Sequence, residues 1–229
     1  RNGQSYIQWL SITTVKDSDD EIENYIAIFS DVTHHRKDTQ AKLHHATHDP
    51  LTGLSNRLLL NDRLHHAIDH AKRFEKHIGL IFCDLDNFKP INDTYGHTIG
   101  DEILKRVSHS LRSILRSEDT ICRFGGDEFV ILVEDLKDFD FMHDILTRIN
   151  QLTTTPCVID NHTIQMGMSI GAAIYPDDGL TSDQLIKAAD TAMYRAKRGG
   201  KNRVKYAQED INIYALKQKT DPNAFSYVI

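Results

Sequence analysis

Two stretches of this chain place carboxylates where apolar strand patterns stop. The first is Arg123-Phe124-Gly125-Gly126-Asp127-Glu128-Phe129, preceded by Asp119-Thr120-Ile121-Cys122 and followed by Val130-Ile131-Leu132-Val133. Apolar residues alternating about a central Gly-Gly read as a β-hairpin, whose tight turn needs residues that tolerate positive φ. Adjacent carboxylates at such a turn repel each other and have no packing role. A cation or a proton-transfer step would explain them; a simple acidic hairpin tip is the alternative, and the turn gains its weight from a matching stretch upstream. The glycines leave room for phosphates to approach the backbone. The second stretch is Leu80-Ile81-Phe82-Cys83-Asp84-Leu85-Asp86-Asn87-Phe88-Lys89. A short apolar run breaking into Asp-x-Asp is a buried strand that delivers carboxylates to a sheet edge. Magnesium takes hard oxygen ligands and few protein carboxylates, keeping positions for water and phosphates. Asp84 facing Asp127 would make such a partial cage. The plain alternative is that Asp84 and Asp86 cap the helix that follows.

The neighbouring motifs keep the order and spacing of a known family. Asp49-Pro50-Leu51-Thr52-Gly53-Leu54-Ser55-Asn56-Arg57 comes first, then the Asp84–Lys89 segment. Asn92-Asp93-Thr94-Tyr95-Gly96-His97 with Gly100-Asp101 follows, then the Gly125–Phe129 turn and Ala192-Met193-Tyr194-Arg195-Ala196-Lys197. From Asp49 to Tyr206 the chain resembles the GGDEF-type diguanylate cyclases. The resemblance implies an α+β fold, a palm-like nucleotidyl-cyclase sandwich with a central, mainly antiparallel sheet flanked by helices. It also implies condensation of two GTP into cyclic di-GMP and two pyrophosphates, with Mg2+ or Mn2+, in a homodimer.

The same resemblance assigns roles. Asp84, Asp127 and the Leu85 carbonyl would hold the metal. Glu128 is either a further ligand or the group that receives the 3′-hydroxyl proton, and both roles stay open. Gly125 and Gly126 would border the substrate, and Lys89, Lys197 and Lys201 would hold the triphosphate as point charges. The family often has Arg where Lys201 stands. Asn92 and Asp101 occupy the guanine-reading positions, and a carboxylate does suit the N1–H and N2–H donors of guanine. Their alternative is helix capping. Arg116-Ser117-Glu118-Asp119 resembles an inhibitory site at which the product binds back, with Arg148 as a second cation. The alternative there is a surface ion pair of little energetic weight. A catalytically silent GTP-binding regulatory module and a cyclic di-GMP receptor are the competing functional readings. Intact Asp84, Asp127, Glu128 and Lys197 weigh against both.

Composition frames these expectations. The 229 residues, 40% hydrophobic and 26% charged, suffice for one full domain plus a remnant. A net charge of −6 gives no reason to expect nucleic acid or an anionic membrane as partner. Cys83, Cys122 and Cys157 are scattered, two within apolar strand patterns, which suggests reduced thiols and a cytoplasmic setting. No apolar run approaches the roughly 20 residues that span a bilayer. The start at Arg1 predicts a fragment, so a full-length protein could still be membrane-anchored through other segments.

The elements follow from periodicity. Tyr6–Val15 and Tyr25–Ser30 alternate as two strands, which resemble the closing hairpin of a PAS sensor domain (residues 1–33). Residues 34–48 read as a signalling linker helix, 49–206 as the GGDEF domain and 207–229 as a tail of open structure. Within the domain, a helix with Leu58, Leu59, Leu64, Ile68 and Ala71 inward precedes the strand Ile78–Asp84. One helical region is expected over Pro90–Arg116, and after the hairpin a helix over Phe139–Leu152. Strand material follows at Val158–Asp160 and His162–Tyr175. Thr181-Ser182-Asp183-Gln184 reads as a capping box that opens the helix ending at Gly199-Gly200, and Arg203–Tyr206 as a last strand. The adjacent histidines His34-His35, His44-His45 and His65-His66 point about 100° apart on a helix and present no chelating face.

Overall fold

The structure, a computed structural model, describes residues 8–31, 44–153 and 155–208. These fall into two units divided between Ala46 and Thr47. In the first, β1 (Gln8–Lys16) and β2 (Ile22–Asp31) pair antiparallel. Lys16 and Asp20 bridge their turn at 2.9 Å. Leu10 opposite Phe29 and Ile12 opposite Ala27 make one apolar face, and Ile26 and Ile28 contribute to the other. A two-stranded ribbon of this kind is marginal by itself in water. The linker helix expected over 34–48 lies largely outside the described residues, with 44–47 helical, and the tail is described only at 207–208.

The second unit runs through α1 (Arg57–Phe74), β3 (His77–Asp86), α2 (Phe88–Tyr95) and α3 (His97–Ile114). It continues with the hairpin β4 (Thr120–Gly125) and β5 (Glu128–Leu136), then α4 (Phe139–Gln151). A small hairpin, β6 (Cys157–Ile159) with β7 (His162–Ile164), precedes β8 (Gly167–Tyr175), α5 (Ser182–Arg198) and β9 (Arg203–Tyr206). The five-stranded sheet has the order β4-β5-β3-β8-β9, antiparallel except for the parallel β8–β9 pair. This is the expected mainly antiparallel sandwich.

Three expectations are corrected. The single helical region over Pro90–Arg116 is two helices, because Gly96 at φ +87 closes α2 and starts α3. Asn92 therefore lies in the last turn of α2 and Asp101 inside α3, so neither caps a helix start. The strand material from His162 onward is interrupted, with β7 returning to β6 across a turn in which Asp160 and Asn161 take positive φ. Leu58, expected inward, is exposed; the buried stripe of α1 is Leu60, Leu64, Ala67, Ile68 and Ala71.

β3 is the axis of the domain, paired on both edges and buried on both faces. Ile81, Cys83 and Leu85 join the core that packs α2, α3 and α4, whereas Leu80 and Phe82 join the core under α1 and α5. Each such side chain contributes on the order of 1.5–3 kcal/mol when fully buried. The two-residue period then carries Asp84 and Asp86 onto the α5 side. Glu128, opposite Asp84 in the β3–β5 register, faces the same way.

α5 begins where Thr181 accepts the Gln184 amide, and it buries Leu185, Ala189, Ala192, Met193 and Ala196. It lies so close to β8 that a methyl group added at Gly171 would collide with the Ala189 carbonyl and the Met193 amide. Backbone cannot yield as a side chain end can. Gly171→Ala should therefore destabilise the domain by about 1–3 kcal/mol, the usual range for overpacking, measured by urea denaturation. Unchanged stability would show that α5 does not depend on this close approach.

Candidate active site

β3 delivers Asp84 to the edge of the core with its side chain 6% exposed, and α5 answers with a cation. Lys197 Nζ lies 2.6 Å from Asp84 Oδ2. Glu128 stands directly across from Asp84, and the Leu85 amide donates to the Asp127 carbonyl at 3.3 Å. The turn between β4 and β5 consists of Gly126 and Asp127, with Gly126 supplying the positive φ of +47 that the hairpin needs. Asp84, Leu85, Gly125, Gly126, Asp127, Glu128 and Lys197 thus lie together at the end of β3.

Electrostatics follow from this crowding. Burial, then the Asp127 and Glu128 charges, raise the Asp84 carboxyl to about 6, although Lys197 pulls it down. Glu128 is also raised, first by burial and then by Asp127 and Asp190. Among the described residues no three His, Cys, Asp or Glu side chains converge as a preformed metal cage. The donor set still suits magnesium, which takes one or two carboxylates and completes its shell with waters and substrate phosphates. Asp84, Asp127 and the Leu85 carbonyl fit that pattern.

Asp86 is neither a helix cap nor part of this cluster. Only 2% exposed, it accepts from Ser169 Oγ at 2.7 Å and from the Asn202 amide at 2.8 Å. Lys201 Nζ donates to Asn87 Oδ1 at 2.6 Å, while Lys89 is exposed on the first turn of α2. Asn92 Oδ1 is buried with no hydrogen-bond partner and lies against Gly100, where any added Cβ would strike it. Asp101 follows Gly100 on α3 and is exposed.

The Arg116–Asp119 stretch lies at the other end of β4. Asp119 is buried, accepts the Arg116 amide through Oδ2 at 3.0 Å, and leaves Oδ1 without a hydrogen-bond partner. The Arg116 guanidinium rests on the Phe141 ring, 4.2 Å from its centre. Arg148 donates to the Ile114 carbonyl at 3.0 Å and lies 3.7 Å from Asp144. A cavity of about 420 Å³ beside Asp119 is lined by Arg63, Arg112 and Arg116.

One fastening had not been read from the sequence as such. Asp49 accepts the Thr52 amide and hydroxyl, and Arg123 Nη1 reaches both Asp49 oxygens at 3.1–3.2 Å. The same guanidinium donates to the Gly126 carbonyl at 2.8 and 2.9 Å. Burial alone would raise the Asp49 carboxyl, but Thr52 and Arg123 outweigh it and hold it low. The available signals were the Asp-x-x-Thr spacing, at which an aspartate accepts the amide three residues on as an N-cap does, and an Arg two residues before the Gly-Gly pair.

Residues 46–203 match the family described as "Diguanylate cyclase, GGDEF domain". Over 176 residues the chain is 43% identical to the bifunctional diguanylate cyclase/cyclic di-GMP phosphodiesterase MucR of Pseudomonas aeruginosa, covering 76% of this chain and 25% of that protein. The solved GGDEF domain of TpbB (YfiN) from Pseudomonas aeruginosa is 35% identical with a TM-score of 0.69, over 71% of this chain and 95% of that one. The coiled coil and GGDEF domain of DgcB from Caulobacter crescentus, solved with c-di-GMP, gives 27% and a TM-score of 0.70, over 76% and 93%. The chain spans about a quarter of the length of the first curated relatives it matches.

The charge crowding has a pH signature. An Asp in the unfolded chain titrates near 3.8, whereas folded Asp84 titrates near about 6. Between these values the folded form keeps a proton that the unfolded form has lost. This group's contribution to stability therefore falls as pH rises from about 4 to about 6 and is level above. Carboxyl carbon-13 NMR of the metal-free domain should show Asp84 titrating near 6, and Lys197→Met should move the midpoint upward. A midpoint below 4 would contradict the burial and the crowding together.

Proposed function

Since this chain belongs to the diguanylate cyclase GGDEF domain family, we propose that it condenses two GTP into cyclic di-GMP with release of two pyrophosphates. The observation that carries the reading is the facing of Asp84 and Glu128 across β3 and β5, beside the Gly126-Asp127 turn and against Lys197. Each domain would hold one GTP, and two domains would face each other in a homodimer.

Asp84, Asp127 and the Leu85 carbonyl would hold Mg2+ or Mn2+, which when bound neutralises triphosphate charge and makes an attacking hydroxyl more acidic. Lys89, Lys197 and Lys201 supply point charges for the phosphate tail, and the bare Gly125-Gly126 backbone lets that tail approach the hairpin. Glu128 receives the 3′-hydroxyl proton. Its proton affinity, raised by burial and by the Asp127 and Asp190 charges, makes it a better proton acceptor than a free carboxylate. The unfilled Asn92 Oδ1 accepts from the guanine edge, and Asp101 accepts from N1–H and N2–H. Adenine offers an acceptor at N1, and a site built for a donor rejects such an analogue strongly.

Incubation with GTP and magnesium, followed by chromatography, should give cyclic di-GMP, and ATP should give no cyclic product. Asp84→Asn and Asp127→Asn are near-isosteric and should each lower turnover about a hundredfold or more, beyond what outer partners of a metal usually contribute. Near-normal product from Asp127→Asn with unchanged magnesium dependence would remove the carboxylate from the site.

Arg116, Asp119 and Arg148 support product feedback as part of the same reading. Asp119 is buried with one oxygen unfilled, which a surface ion pair does not explain and a guanine donor does. Added cyclic di-GMP should slow turnover without competing with GTP. Arg116→Ala and Asp119→Ala should relieve the inhibition and weaken product binding about tenfold or more in calorimetry, the scale of one hydrogen bond to a charged group. Undiminished affinity in both variants would overturn the assignment.

A further inference from the structure

Asp86 is the second carboxylate of the Asp-x-Asp pair, and the mechanism above leaves it without a task. It ends β3 on the α5 side, 2% exposed, with both oxygens engaged. One accepts from Ser169 on β8, and the other accepts from the Asn202 amide in the loop joining α5 to β9. That loop bends sharply: Gly200, Lys201 and Asn202 all have positive φ, at +115, +63 and +43. Such conformations are uncommon for non-glycine residues, less so for asparagine than for lysine, and they persist where the surroundings support them. The Lys201 amide, donating to the Ala196 carbonyl at 3.1 Å, and Arg203 Nε, donating to the Lys201 carbonyl at 3.0 Å, hold the loop from α5 and β9, and two further contacts hold it from the end of β3. Asp86 fixes the loop backbone at Asn202, and Asn87, next in sequence, accepts from Lys201 Nζ at 2.6 Å. The fit is tight, since a methyl group added at Gly167 would come within 2.9 Å of Asp86 Oδ2 and 3.0 Å of Asn202 Cβ.

We propose that Asp86 is a positioning residue, which holds the α5–β9 loop in its left-handed bend so that Lys201 presents its charge to the nucleotide phosphates. This positioning role rests on the phosphate-binding role proposed for Lys201 above. A lysine is a point charge on a flexible stem, without the bidentate fork that fixes arginine on a phosphate. Its placement then depends on where the backbone holds it. A buried carboxylate gripping the next residue's amide supplies that fixity through a charge-assisted hydrogen bond.

The test is a double-mutant cycle read by binding and by turnover. The probe is 3′-deoxy-GTP with magnesium, which cannot form the cyclic product, and its Kd is measured by calorimetry. Lys201→Ala and Asp86→Ala should each weaken binding about tenfold, the scale of one charge-assisted contact. The double variant should be no weaker than Lys201→Ala alone, because the carboxylate acts through the lysine. At saturating GTP, kcat of Asp86→Ala should stay within about threefold of the parent, so the effect appears in KM. Asp86→Asn, whose oxygen still accepts the Asn202 amide, should restore most of the affinity.

Additive losses in the double variant would overturn the positioning role while leaving Lys201 as a phosphate ligand. Unchanged Kd in Lys201→Ala would instead overturn the Lys201 assignment and this inference with it. Loss of kcat in Asp86→Asn together with altered magnesium dependence would make Asp86 a metal ligand and not a positioning group. Should Asp86→Ala unfold at the assay temperature, Asn87→Ala breaks the side-chain half of the clamp. It must then show the same non-additivity with Lys201→Ala for the proposal to stand.

Discussion

The domain is organised around a charge at the end of a strand that is buried on both faces. β3 is apolar from Ile78 to Cys83 and then places Asp84 where little water reaches it. An isolated carboxylate there would be disfavoured by several kcal/mol, and the usual outcome is uptake of a proton or recruitment of a cation. Both responses are visible. The Asp84 carboxyl is raised to about 6, and Lys197 is drawn to within 2.6 Å. What places Lys197 becomes a condition of the site. The Thr181 cap, the Ala189–Ala192–Ala196 stripe and the bare Gly171 let α5 lie directly on β8, which brings its last turn level with the end of β3.

The hairpin turn is fixed by a second and independent device. A two-residue turn with one carboxylate on it and a second at the next position has little packing of its own, and side chains used in chemistry must be held to a fraction of an ångström. Arg123 meets this need by gripping the Gly126 carbonyl with one edge of its guanidinium and Asp49 with Nη1. Asp49 is in turn fixed by Thr52, and Ser55 pairs with β4 on either side of Cys122. The first residues of the domain are thereby stitched to the turn through short, partly buried contacts. A displacement at residues 47–49 has a direct physical route to Gly126.

Most of the fold was legible because its elements carry strong local signals. The β3 and β5 runs end in charge, Asn56 and Thr181 cap their helices, and Gly-Gly marks the hairpin. What escaped was local ambiguity in two places and long-range contact in two others. Gly96 closes one helix and opens another, which its neighbours' helical pattern concealed. Leu58, Leu59 and Leu60 are equally apolar, and only packing against the sheet, β4 above all, decides which are buried. In the site, Asp84, Asp127 and Glu128 were readable from their position at strand ends. The contacts of Asp86 were not, since they reach Ser169 and Asn202, more than eighty residues away. The Asp49–Arg123 pair, seventy-four residues apart, escaped for the same reason.

The charge inventory bears on how an anionic nucleotide can bind at all. Asp84, Asp127, Glu128 and Asp190 crowd the β3–β5 end of α5, and the cations acting on them are Lys197 and Arg57. With a net charge of −6, the protein as a whole adds no attraction. A bare triphosphate approaching this cluster would meet repulsion, while a free divalent cation would find carboxylates already pressed toward protonation or paired with Lys197. The two requirements are met together when cation and triphosphate arrive as one complex. In the proposed reading a metal held there would relieve the crowding among the carboxylates, and the phosphates would engage the lysines. On that argument the sparse carboxylate set is a feature of the site: a complete cage would hold the ion without the nucleotide and gain nothing from its phosphates.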